Sequence, residues 1–129
     1  MHPPRAEKNP TVVDILNWFR TSGDSEETTA FNFAEFIGKE VAVVFKHSQT
    51  CPVSWMAKRH VDEFLHAHPE VPLYTLIVQK ERELSNQIAS ATGIRHESPQ
   101  VLIFRKGQVV ADASHGEVTA QYLATATEQ

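Results

Sequence analysis

The stretch Val41-Ala42-Val43-Val44-Phe45-Lys46-His47-Ser48-Gln49-Thr50-Cys51-Pro52-Val53-Ser54 decides how the rest of the chain is read. Its first five residues have the length and β-branched, aromatic character of a buried strand. Pro52 suits the first turn of a helix, where a missing N–H is no loss. Cys51, the only cysteine among 129 residues, therefore stands at a strand-to-helix junction. Unpaired backbone N–H groups and the helix dipole favour a thiolate there. The thiolate is the form that attacks disulfides. Three residues on, where dithiol oxidoreductases carry a second cysteine, the chain has Ser54.

Working outward, Pro52 to His68 reads as a helix with Val53, Ala57, Val61, Phe64 and Leu65 on its inward stripe. Val71 to Val78 is predicted as a second strand, apolar throughout as in a sheet covered on both faces. Glu81 to Thr92 carries Leu84, Ile88 and Ala91 at helical spacing and is closed by Gly93. Val101 to Phe104 and Val109 to Ala113 form a hairpin across Lys106-Gly107. A last helix, Glu117 to Ala126, bears Val118, Tyr122 and Leu123.

On the N-terminal side, Ala34 to Ile37 forms a short helix that stops at Gly38. Residues 1–10 hold three of the seven prolines and no apolar periodicity, so an extended or disordered tail is expected. Thr11 to Phe19 places Val12, Ile15, Leu16 and Phe19 at helical spacing, and a polar linker follows over Thr21 to Thr29. The chain thus divides into an N-terminal extension, 1–30, and one domain, 31–129. The order β-α-β-α-β-β-α, with a parallel first pair and a final hairpin, predicts an α/β fold. It is a three-layer α/β/α sandwich around a central mixed sheet, the thioredoxin-like layout.

With 41% apolar and 22% charged residues, a chain of this length suffices for one cored domain. A formal charge of −4 without a basic cluster argues against nucleic-acid binding. No run approaches the ~18 apolar residues of a membrane span. The first ten residues lack the apolar centre of a signal peptide. A lone cysteine also rules out an internal disulfide scaffold. A cytoplasmic protein with neither nucleic-acid nor membrane partners is expected.

The remaining chemistry gathers around the junction. The Ser54 hydroxyl is expected to donate to the Cys51 sulfur, but it cannot resolve a mixed disulfide, so an outside thiol must do so. Pro99 leads the strand Val101 to Phe104. In a thioredoxin-type layout this proline is cis and faces the cysteine, which frees the backbone of Ser98 to pair with an extended thiol ligand. His47, His96 and His115 are placed in three loops at one end of the sheet, and one near Cys51 stabilises its thiolate or moves a proton. One cysteine with dispersed histidines is no zinc ligand set, so no metal is expected. Lys46 is expected to attract a carboxylate-bearing thiol. Ser114-His115-Gly116 precedes the last helix, whose free N–H groups suit a ligand carboxylate. For Trp55 and Met56, partial core packing and an aromatic flank for the ligand both stay open.

Several separated motifs carry a family resemblance: Lys46-His47-Ser48 with Thr50-Cys51-Pro52-Val53-Ser54, Leu76-Ile77-Val78-Gln79, Leu84-Ser85-Asn86, His96-Glu97-Ser98-Pro99-Gln100 and Ala113-Ser114-His115. Together they resemble the YtxJ family, the monothiol bacilliredoxins of the bacillithiol system, over residues 40–127. The resemblance implies a thioredoxin-like thiol–disulfide oxidoreductase that removes bacillithiol from S-bacillithiolated client proteins. Cys51 is then the nucleophile, Pro99 the cis proline, and Thr50, Pro52 and Ser54 the supporting residues. Lys46, His47, Ser98, Ser114 and His115 are the expected contacts to the thiol ligand. The co-substrate is bacillithiol, an N-methylated form or another small thiol.

Two other classes share the fold. Monothiol glutaredoxins that carry iron–sulfur clusters have Cys-Gly-Phe-Ser, and here Pro52 takes the place of the flexible glycine. A non-catalytic module using the fold as a scaffold has no need of a thiol at a helix start.

Overall fold

The computed structural model describes residues 32–128. In order, the elements are α1 (Phe33–Ile37), β1 (Ala42–His47), α2 (Pro52–Ala67), β2 (Leu73–Ile77), α3 (Arg82–Thr92), β3 (Gln100–Arg105), β4 (Gln108–Ser114), a 3-10 turn (His115–Glu117) and α4 (Ala120–Glu128). The predicted tail over 1–10, the helix over Thr11–Phe19 and the linker over 21–29 lie outside the described residues.

Side chains alternate across a strand, and on β1 this alternation divides the core in two. Val44 packs with Phe33, Ile37, Leu76, Ile88 and Phe104 on the face covered by α1 and α3. Val43 and Phe45 pack with Ala57, Val61, Phe64, Ile103 and Leu123 on the face covered by α2 and α4. The sheet order is β2-β1-β3-β4, parallel between β1 and β2 and antiparallel elsewhere. This is the mixed-sheet, three-layer α/β arrangement expected from the sequence. Fully burying Phe45 and Phe64 contributes about 1.5–3 kcal/mol each, more than the ~1 kcal/mol of a helix cap. Core packing, not capping, holds α2 to the sheet.

Several boundaries moved, each for a physical reason. Strand β1 does not stop at Phe45. It continues through Lys46 and His47, both paired to β2, and both polar side chains are buried. By alternation Lys46 falls on the α3 side and His47 on the α2 side. Strand β2 begins at Leu73 instead of Val71, because Pro72 has no N–H to give the ladder, although its carbonyl accepts the Val43 N–H at 2.9 Å. As an edge strand of the sheet, β2 buries only Leu76 fully. The buried stripe of α2 starts at Ser54 and runs through Ala57, Val61 and Phe64, whereas Val53 is 41% exposed.

Gly93 ends α3 in the left-handed region (φ 75°), its N–H bonded to Ala89. Gly38 ends α1 at φ −76°, an ordinary right-handed conformation, so that helix end does not depend on glycine. Lys106 (φ 53°) and Gly107 (φ 89°) make the hairpin turn with both central residues at positive φ, the handedness that matches strand twist. The final helix starts at Ala120 and not at Glu117. Thr119 Oγ1 accepts the Tyr122 N–H at 3.0 Å, the geometry of an N-cap.

Candidate active site

Parallel β1 and β2 end side by side, and the chain leaving β1 turns through Ser48-Gln49-Thr50 into α2. Cys51 is the N-cap of α2, with extended backbone (φ −107°, ψ 119°) and Pro52 next to it. Its carbonyl accepts the first helical N–H, from Trp55, at 3.2 Å. The thiol is free and partly exposed. Its sulfur caps no N–H of the first turn.

The loop before Cys51 is held by a residue that the sequence reading left without a role. Gln79 Oε1 accepts the Gln49 N–H at 3.1 Å, while Nε2 donates to Ser48 Oγ at 2.8 Å and Thr50 Oγ1 at 3.2 Å. Trp55 Nε1 donates to the Gln49 carbonyl at 2.8 Å from the other side. Thr50 is thereby fixed beside the thiol. Each such bond is worth about 1 kcal/mol net. We expect Gln79→Ala to cost about 1–2 kcal/mol in a urea titration and to speed exchange of the Gln49 amide hydrogen.

Across from this loop the Ser98–Pro99 peptide is cis. Ser54 links the two walls. Fully buried, its Oγ accepts the Ser48 N–H at 3.2 Å and lies 3.5 Å from Ser98 Oγ. The hydroxyl expected to serve the Cys51 sulfur is therefore committed to joining loops. The Pro99 carbonyl accepts the His115 N–H at 2.9 Å, and His115 Nε2 donates to Glu97 Oε1 at 2.9 Å. That bond, ahead of the nearby positive charges, holds the Glu97 carboxyl below its usual range. Ser114 pairs with Gln100 in the sheet, and His115 (φ 56°) opens the 3-10 turn. The last helix, expected from Glu117, begins at Ala120, and Ser114 is the N-cap of the 3-10 turn instead.

Two expected ligand contacts point inward. Lys46 is 0% exposed, with Nζ donating to the Ser85 carbonyl at 3.1 Å and meeting His96 Nδ1 at 3.3 Å. Burial pushes its amine down to about 8. It does not reach a ligand at the surface. His47 is 1% exposed beneath Trp55, whose ring meets it edge-on at 4.6 Å between centroids, and beside Phe45. Neither of its ring nitrogens makes a well-formed hydrogen bond with a described residue. Burial of the ring, then the charge of Lys58, lowers its pKa, and the Ser54 backbone and Asp62 oppose this only in part. His96 is half-buried, its Nδ1 3.0 Å from Ser85 Oγ. Its pKa is lowered too, by burial first and by Lys46 next. The three histidines thus occupy separate places: His47 under α2, His96 against α3, His115 on the rim.

Among the described residues no group of three or more His, Cys, Asp or Glu is placed to hold a metal ion. Gln79, Ser85 and Glu97 are the partners that sequence reasoning missed. Only Gln79 carried a positional signal, since polar residues just past the end of a strand border the crevice of an α/β sheet.

A lone, partly exposed thiol at a helix start, in a loop that Ser54 ties to Ser98 and its cis-proline peptide, defines the class: a thioredoxin-fold thiol–disulfide oxidoreductase. The chain belongs to the monothiol bacilliredoxin family, whose model (Monothiol bacilliredoxin BrxC) matches residues 25–123. It is similar to a solved structure described as a candidate oxidoreductase with a thioredoxin fold, at 39% identity and a TM-score of 0.69, covering 75% of this chain and 86% of that one. Thioredoxins share the fold alone. That of Fasciola hepatica is 16% identical with a TM-score of 0.61, covering 83% of this chain and 91% of its own. That of Malassezia sympodialis is 23% identical with a TM-score of 0.58, covering 75% and 81%. Among the described residues no helix is long and apolar enough to cross a membrane.

Proposed function

We propose that this protein removes bacillithiol from S-bacillithiolated proteins in the cytoplasm by two successive thiol–disulfide exchanges. The Cys51 thiolate attacks the bacillithiol sulfur of the client's mixed disulfide. The client leaves as a thiolate and takes up a proton, and Cys51 is left joined to bacillithiol. A second bacillithiol thiolate then attacks the bacillithiol sulfur on Cys51. This gives bacillithiol disulfide and restores the Cys51 thiolate, and the disulfide is reduced elsewhere. Thr50, Ser98 and the Pro99 peptide border the bound thiol, with Ser114 and His115 on the rim, while Ser54 and Pro52 fix the frame.

One observation carries this reading. The chain has a single cysteine, and the position three residues on holds a buried serine tied into the frame. An internal disulfide cannot form, so only an external thiol completes the cycle. Membership of the monothiol bacilliredoxin family supports bacillithiol as that thiol.

Intact-mass measurement after exposure to a panel of small disulfides tests it. The expected result is one bacillithiol added at Cys51, lost again on adding free bacillithiol. No adduct, or an adduct that free thiol does not remove, overturns the reading.

A further inference from the structure

A lysine amine taken into the core leaves water at a cost of several kcal/mol unless it is well paired. Lys46 is fully buried on an interior strand, and no ion pair among the described residues includes it. Its partners are the Ser85 carbonyl at 3.1 Å and His96 Nδ1 at 3.3 Å. An ammonium group only donates, so Nδ1, which the Ser85 hydroxyl also meets at 3.0 Å, accepts and the ring proton sits on Nε2. His96 opens the segment His96-Glu97-Ser98-Pro99, and Gln100, just past it, is the register partner of Lys46 in β3. The Gln100 side chain closes the same segment, with Oε1 accepting the Glu97 N–H at 3.4 Å and Nε2 donating to the Arg95 carbonyl at 3.0 Å. The register partners Lys46 and Gln100 thus both hold the start of the cis-proline segment, around His96.

We propose that Lys46 is a positioning residue for the exchange reaction: through His96 it holds the segment that presents Ser98 and the Pro99 peptide to the small thiol. This rests on the reading of the site as a small-thiol exchange centre. The amine faces His96 from the loop and Ser85 from α3. The charges of Glu97 and Arg82 act, with that of Lys46, on the His96 imidazole. Because burial brings the amine to about 8, mildly alkaline solution removes its proton. The neutral amine then also accepts, and His96 is no longer confined to one tautomer.

The test uses the full chain, with Lys46→Met to keep the stem without the amine. His96→Leu cuts the same link from the other side. In His96→Asn, Oδ1 replaces Nδ1 as acceptor. In the wild type at neutral pH, ring nitrogen shifts of His96 report the proton on Nε2, and in Lys46→Met they report a mixture. The His115 amide, which bonds to the Pro99 carbonyl, exchanges about tenfold faster in Lys46→Met. KM for a bacillithiolated protein rises about fivefold with kcat held within about twofold, and alkylation of Cys51 by iodoacetamide is unaltered. His96→Leu reproduces the faster exchange and raised KM, and His96→Asn restores wild-type values. Unchanged His115 exchange and an unchanged His96 tautomer in Lys46→Met overturn the proposal, as does an unchanged KM beside an active wild type. If the wild type transfers no thiol, the functional reading fails, and the two spectroscopic readouts still decide the role of Lys46.

Discussion

Replacing Cys51 by serine is expected to abolish removal of bacillithiol from client proteins, with a loss of at least about 10³-fold in rate. A serine hydroxyl at the same helix start stays protonated at neutral pH and does not displace a thiolate from a disulfide. No other sulfhydryl exists in the chain to take over. Quantifying thiolated client by mass spectrometry against time gives the rate directly. A serine variant as fast as the wild type would remove Cys51 from the chemistry altogether. The substitution is sterically mild and the thiol makes no capping bond, so the helix is expected to stay intact, which circular dichroism verifies.

The second large effect is on stability, and its sign is opposite. Lys46→Met is expected to stabilise the fold by about 1–2 kcal/mol at neutral pH, seen as a raised urea midpoint. Burial lowers the amine from 10.5 to about 8. At about 1.36 kcal/mol per unit this charge costs the fold on the order of 3 kcal/mol. Loss of two hydrogen bonds in the variant offsets part of the gain, at about 1 kcal/mol net for each.

Linkage fixes the pH window. Between about pH 8 and pH 10.5 the unfolded chain binds more protons at this site than the folded one. Wild-type stability therefore rises across that window through the Lys46 contribution, and the Met variant lacks the rise. Below pH 8 the full cost is present. His47 and His96 have the same sign at lower pH. Both are held below their ordinary value of 6.5, so the fold weakens as pH falls through 6.5. Urea midpoints of both proteins across the range check each limb, and parallel curves above pH 8 would contradict the assignment to Lys46.

How far the sequence could be read follows from where local rules govern. The apolar run Val41–Phe45, the Pro52 helix start, Gly93 and the Lys106-Gly107 turn each obey nearest-neighbour physics, and together they sufficed for the layers and the sheet. The Cys51 junction was legible for the same reason. Charge signals solvent in any local scheme, yet strand pairing on both sides carries Lys46 inward, and pairing to β2 under Trp55 does the same for His47. Val53 is apolar, and local pattern alone places it inward. The phase of α2 is set further along, by Ala57, Val61 and Phe64, and it gives the buried place to Ser54. The roles of Gln79, Ser85 and Glu97 depend on partners many positions away, and no spacing rule encodes them.

The Ser54–Ser98 contact spans 44 positions of chain, and closing so long a loop carries an entropic penalty that only a finished sheet repays. Competence for exchange is consequently a property of the completed topology, not of any fragment. A nascent chain that has emerged only through α2 displays its sulfur without the opposite wall. It behaves as a simple peptide thiol until β3 docks. Maturation of the enzyme and completion of its architecture are one event.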